Sequence, residues 1–176
     1  MTTSGKKRPA LVGIVMGSDT DFPVMNEAGK TLDKFGIAFE MEVLSAHRTP
    51  ARAHEYATTA LKRGLKVIVA AAGAAAHLAG VMAAGTTLPV IGVPMATSTL
   101  KGLDALLATV QMPGGIPVAT MAIDKAGAVN AAVFAAEILA LSDEEIARKL
   151  VAHKEELVRS VAEKNARLQK QLAEEK

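Results

Sequence analysis

Ala38-Phe39-Glu40-Met41-Glu42-Val43-Leu44, followed at once by Ser45-Ala46-His47-Arg48-Thr49-Pro50, is the stretch on which the fold turns. Phe39, Met41 and Val43 alternate with Glu40 and Glu42, the period of a strand with one dry face and one wet one. The neighbouring runs are different. Ala10–Met16 and Val67–Ala71 carry no polar face, as parallel strands covered on both sides would. The half-polar strand therefore belongs at a sheet edge. Thr49 as N-cap and Pro50 at the first helical position then begin a helix that runs to about Arg63 and stops at Gly64.

The rest of the chain repeats this alternation. Pro23–Phe35 has helical spacing and ends at Gly36. A helix of small residues ends near Gly85, and Pro89–Val93 is a fourth strand. Leu103–Met112 is the next helix, and Ile116–Ile123 a fifth strand. Strand and helix in alternation predict an α/β fold, a three-layer open parallel sheet with helices on both faces. With the half-polar strand at the edge beside the first, the order is 2-1-3-4-5, the flavodoxin-like arrangement. Ligands in such sheets bind beyond the carboxyl ends of the strands, where the order reverses between strands 1 and 3.

Residues 1–9, with Lys6-Lys7-Arg8, read as a disordered N-terminus, and 10–142 as the catalytic domain. Ala128–Leu141 is helical in spacing with only Asn130 and Glu137 polar, so it is expected to be buried on more than one side. This points to a homo-oligomer with the helix in or near an interface; a central helix under its own sheet is the other reading. Ser142-Asp143-Glu144-Glu145 matches a capping box, and residues 143–176 read as a charged C-terminal helix. Its thin stripe of Ile146, Leu150, Leu157, Val161 and Leu168 suits packing on the body or on a neighbour. A solvated tail fits nearly as well.

Composition removes several classes of function. There is no cysteine, which rules out disulfides, thiolate metal sites and a cysteine nucleophile. A net charge of +2, with Lys6-Lys7-Arg8 as the only clustered cations and no stacking aromatics, gives no nucleic acid and no anionic membrane as partner. Val67–Gly85 is an apolar 19-mer with His77 as its one clearly polar member, but twelve of its residues are Ala or Gly. Its drive into hydrocarbon is weak. The expected setting is cytoplasmic.

Chemistry concentrates in the loops after strands 1, 2 and 3, which a parallel sheet opens onto one edge. The first, Gly17-Ser18-Asp19-Thr20-Asp21, offers amides, hydroxyls and a helix N-terminus suited to phosphate. Arg48 adds a charged fork for the same group, and Asp21 suits a ribose hydroxyl. His47 beside the Arg48 cation is favoured as a neutral base. The third loop runs from Gly73 to His77. Each piece has a plainer reading: Asp19 as a capping residue, His77 as a satisfied core histidine, His54 and His153 as exposed helix residues. Together they suggest a nucleotide-monophosphate or sugar-phosphate site. The Gly-x-Gly-x-x-Gly and Walker-type signatures are absent. So is the aspartate after strand 3 that a phospho-receiver domain needs. No metal is expected, since two histidines lack an obvious third ligand.

Val15-Met16-Gly17-Ser18 with Asp21, the Ser45–Pro50 hexapeptide, Ala75-Ala76-His77-Leu78, Gly92-Val93-Pro94 and Gln111–Pro117 together resemble the 5-(carboxyamino)imidazole ribonucleotide mutases of purine biosynthesis. Lys125–Ala128 and Asn130-Ala131-Ala132 continue the likeness, which covers about residues 10–142. It implies an isomerase that forms 4-carboxy-5-aminoimidazole ribonucleotide, a homo-oligomer (an octamer), with no cofactors. By position, Ser18, Thr20, Asp21, Ser45 and Arg48 would bind phosphate and ribose, with His47 as the acid/base. Gly73 and His77 would line the pocket around the migrating carboxylate. Ala74, Ala119 and Asp124 stand where the family usually has glycine, and Ala79 where it usually has proline. An added methyl at Ala74 is expected to tighten the pocket or shift its amides. The neighbouring class, which carboxylates aminoimidazole ribonucleotide directly with carbon dioxide, usually has Lys where Arg48 stands, which favours the mutase. A non-catalytic nucleotide-binding module is the remaining alternative.

Overall fold

The computed structural model describes residues 9–175; the N-terminal expectation for residues 1–9 therefore falls almost wholly outside it. The elements are β1 (Val12–Met16), α1 (Phe22–Phe35), β2 (Phe39–Val43), α2 (Pro50–Arg63), β3 (Val67–Gly73) and α3 (Leu78–Gly85). They continue with β4 (Val90–Met95), α4 (Leu103–Val110), β5 (Ala119–Thr120), α5 (Asp124–Ala140) and α6 (Glu144–Glu174). Every strand pair is parallel and the sheet order is β2-β1-β3-β4-β5, as the alternation predicts. The apolar 19-mer divides into β3 and α3, and no helix among the described residues is long and apolar enough to cross a membrane.

Register places Val12, Ile14 and Met16 on one face with Phe39, Met41, Val67, Val69 and Ile91. The helices α1 and α5 cover this face. A Cβ on Gly29 of α1 would lie 2.6 Å from Met41 Cε, and one on Gly127 of α5 would lie 3.2 Å from Val93 Cγ1. The other face carries Val15, Ile68, Ala70 and Val90, and buries them with Ala53, Tyr56, Ala57, Leu78, Ala79 and Met82 of α2 and α3. Gly13 lies on this face because Tyr56 needs the space: a Cβ there would stand 2.2 Å from the phenol oxygen.

The edge position of β2 is as expected, but its acidic face is not bare. The Tyr56 hydroxyl donates to Glu40 Oε1 at 2.8 Å, Arg63 pairs with the same oxygen, and Arg52 reaches Glu42 at 3.4 Å. The Arg63 guanidinium also lies 4.4 Å over the Tyr56 ring. Burial, then the Glu40 carboxylate, pushes the Tyr56 hydroxyl well above the usual phenol range. The alternation of β2 thus reflects a part-exposed face whose carboxylates are shared between water and the polar side chains of α2.

Two elements are shorter than predicted. β5 has two residues rather than eight because Pro117 has no amide for the ladder and Gly115, at φ 97°, turns the chain just before it. α4 ends at Val110, two residues early, since the residue before Pro113 is driven out of helical geometry. The chain divides into two compact units between Ala136 and Glu137. In the second, Asp143 rather than Ser142 caps α6, its Oδ1 accepting from the amides of Glu145 and Ile146 at 2.9 and 3.1 Å. Of the α6 stripe, Ile146 and Leu150 are buried, whereas Leu157, Val161 and Leu168 are half exposed or more. His54 is exposed as expected; His153 is half-buried.

Candidate active site

Parallel strands end together, so the loops after β1, β2, β3 and β4 meet at one sheet edge. Gly17 leaves β1 with its amide still bonded to Ala71 O at 3.1 Å. A short 3-10 turn over Asp19–Asp21 follows, capped by Ser18, whose hydroxyl accepts from the Thr20 amide at 3.3 Å and from the Thr20 hydroxyl at 2.9 Å. Asp21 is buried, at 3% exposure. Burial first, then the nearby Asp124 and Asp19 carboxylates, raises the Asp21 carboxyl above the usual carboxylate range, against a backbone hydrogen bond from Ser18.

The second loop is tied to itself. Thr49 begins α2, but its hydroxyl makes no cap bond to the helix. It donates to Ser45 O and accepts from the Ser45 amide, both at 3.1 Å. Ser45 Oγ in turn accepts from the Arg48 amide at 3.1 Å and from Arg48 Nε at 3.4 Å. The end of the Arg48 guanidinium crosses to the first loop and donates to Gly17 O at 2.9 Å. One exposed cation is thereby aimed between two strand ends. That is the arrangement an anion needs, and it leaves other guanidinium donors for a ligand.

The third loop is tightly wound. Gly73 ends β3, and a Cβ there would lie 1.8 Å from Thr97 Oγ1. Ala74 follows at φ 51°, in the left-handed region that favours glycine. The loop then brings His77 to His47, with Nε2 of His47 and Nδ1 of His77 2.8 Å apart and the rings edge-on at 80°. One of these nitrogens carries the hydrogen between them, so one ring donates, the other accepts, and each orients the other.

A cavity of about 330 Å³ joins these loops, lined by Ser18, Thr20, Asp21, Ser45, His47, Arg48 and Gly73. Seven of the eight predicted site residues therefore meet in one place. His77 is not among the lining residues; it is exposed and meets the site through its contact with His47. Thr97, which sequence reasoning missed, completes the wall with Ala72, Ala75 and Leu78. The rule that ligands sit beyond strand ends applies equally to β4, and the hydroxyl-rich Thr97-Ser98-Thr99 that follows it was the available signal. Among the described residues no group of three or more His, Asp or Glu stands ready to hold a metal ion.

A three-layer α/β domain with a small polar cavity at its switch point, walled by Ala and Gly and served by paired histidines, defines a binder or converter of a small anionic ligand. The AIR carboxylase family profile matches residues 11–160, and the chain belongs to that family. Similar curated proteins are the N5-carboxyaminoimidazole ribonucleotide mutases of Pyrococcus horikoshii and Bacillus subtilis. The first is 53% identical over 96% of this chain and 94% of its own. The second is 54% identical over 90% of this chain and 98% of its own. Among solved structures, Treponema denticola PurE superposes with a TM-score of 0.80 at 28% identity, covering 90% of this chain and 98% of that one.

Proposed function

We infer that the chain works as an N5-carboxyaminoimidazole ribonucleotide mutase, an isomerase of purine biosynthesis, with His47 as its proton carrier. The convergence of Ser18, Thr20, Asp21, Ser45, Arg48 and His47 on one cavity carries this reading. Arg48, Ser18 and Thr20 take the phosphate, with Ser45 holding Arg48 in place. Asp21 takes a ribose hydroxyl. The base then lies along the Ala72–Gly73–Ala75 wall, with His47 at its edge.

The reaction breaks the bond between the exocyclic nitrogen and the carboxyl carbon, releasing carbon dioxide inside the cavity. His47 gives a proton to that nitrogen. Carbon 4 then attacks the trapped carbon dioxide and gives its own proton back to the imidazole. Atoms and protons balance with no oxidant, reductant or added group. Holding both fragments together replaces a bimolecular encounter with an intramolecular one, and one histidine serves as acid and then base. His77 orients His47 through the 2.8 Å contact.

The working form is a cytoplasmic homo-oligomer, an octamer. Leu103, Leu107 and Val110 lie along one side of α4, with Leu100 just before it, each about half exposed in the single chain. An apolar stripe of this kind supports burial between copies. Residues 10–142 form the catalytic domain and 143–176 a charged helical extension.

The test follows product from two starting materials. The mutase forms 4-carboxy-5-aminoimidazole ribonucleotide from the carbamate and does not respond to bicarbonate. A direct carboxylase would need aminoimidazole ribonucleotide with bicarbonate, and a binding module would saturate with ligand and convert neither. Either of the last two results overturns the proposal.

A further inference from the structure

Asp124 is the first residue of α5, and it is held at φ 57°, where an L side chain is rarely placed. Its carboxylate does not bond within α5. Oδ1 accepts the amide of Ala96 at 2.8 Å, from a loop 28 residues earlier. That loop is close-packed around the bond: a Cβ on Gly102 would lie 3.2 Å from Ala96 Cα and 2.7 Å from Ile123 Cγ2. The next residue, Thr97, is the side chain pressed on Gly73 and lining the cavity. Backbone strain at one residue is thus joined, through one hydrogen bond, to the wall of the site.

We propose that Asp124, which stands where the family usually has glycine, is a positioning residue particular to this chain: its carboxylate, held by the strained turn, fixes the Ala96–Thr97 backbone so that Thr97 keeps the Gly73 side of the cavity closed. The inference rests on the cavity being the active site. It assigns Asp124 no contact with substrate. What the tether controls is how tightly the wall confines the freed carbon dioxide, so its loss is read in turnover and leakage, whereas the Asp124 charge acts separately on Asp21.

Two substitutions separate this from a purely structural role. Asp124→Gly relieves the left-handed backbone and removes the acceptor. Asp124→Asn tolerates the same backbone and keeps an oxygen for the Ala96 amide. The glycine variant is expected to melt no lower than the parent, yet to lose about tenfold in kcat. Both variants remove the charge that faces Asp21, so any change in KM is common to the two and the kcat difference between them reads the tether. The glycine variant should also release free aminoimidazole ribonucleotide as a side product. The asparagine variant recovers most of the turnover and suppresses the leak. Hydrogen exchange at residues 95–99 should quicken in the glycine variant and not in the asparagine one. An unchanged kcat in Asp124→Gly, or an Asp124→Asn as slow as the glycine variant, overturns the proposal. His47→Asn, assayed alongside, reports on the active-site reading separately. If it kept full turnover, that reading would fail, whereas the exchange difference between the two Asp124 variants would still report on the tether.

Discussion

Gly73→Ala measures how closely the site wall is packed. The added Cβ would lie 1.8 Å from Thr97 Oγ1, 3.0 Å from Thr97 Cβ and 3.2 Å from Met95 O. Rotating Thr97 moves only the first of these atoms, and the Met95 carbonyl belongs to β4, which cannot shift without breaking sheet pairing. Overpacking of this kind costs about 1–3 kcal/mol. For a chain of this length each kcal/mol lowers Tm by about 2–4 °C, so a fall of roughly 2–12 °C is expected. Displacing the wall by on the order of 1 Å costs about a hundredfold in turnover. Thermal denaturation and product formation, measured on Gly73→Ala, Thr97→Ala and the double variant, give a cycle. Thr97→Ala removes the worst contact, so the double variant should melt well above Gly73→Ala. Gly73→Ala with unchanged Tm and turnover would show slack at this wall and refute the reasoning.

His47→Asn should fold and assemble as the parent does and lose nearly all turnover, a factor of about 10²–10⁴ for a lost general acid/base; residual activity near the parent's would remove its role. Arg48→Ala should raise the apparent Kd for the ribonucleotide while leaving the melting temperature nearly unchanged, because the side chain is exposed; unchanged affinity by calorimetry contradicts the phosphate assignment. Asp21→Asn carries a pH signature. The folded carboxyl titrates above the unfolded one, so the parent's stability falls as pH climbs from the ordinary carboxylate range through the raised value. The variant should therefore melt higher at neutral pH and lose that advantage in acid, while binding ribonucleotide more weakly. A parent and variant whose melting temperatures run parallel across that range would show that Asp21 carries no such penalty.

Much of this protein is legible in its residue order, because the signals concerned are local. Unbroken apolar runs at 12–16 and 67–71 mark strands buried on both faces, and the alternation at 39–43 marks the edge. Those three facts place β2, β1 and β3, and the strand–helix alternation that follows extends the order to β2-β1-β3-β4-β5. The order in turn brings the loops at 17–21, 45–48 and 73–77 to one rim, so the site follows from the strands that feed it. Proline sets the short β5 and the early end of α4, since its restrictions act on immediate neighbours.

What only the tertiary structure decided depends on pairs far apart in the chain. The acidic face of β2 reads as wet, and it is part-exposed, but its carboxylates also meet Tyr56, Arg63 and Arg52 of α2, partners 10 to 23 residues further along the chain. The partner of His47 is a histidine 30 residues on, and no spacing rule connects them. Ala74 and Asp124 stand where the family resemblance leads one to expect glycine, but only their φ angles of 51° and 57° show that both hold the left-handed backbone. Hydrophobic periodicity records which face of an element is buried, and so it dictates the layers. Angles, rotamers and the approach of one loop to another are settled by close packing after the layers form. That is why the position of the site belongs to the sequence, whereas the Thr97–Gly73 contact and the Asp124 tether belong to the fold.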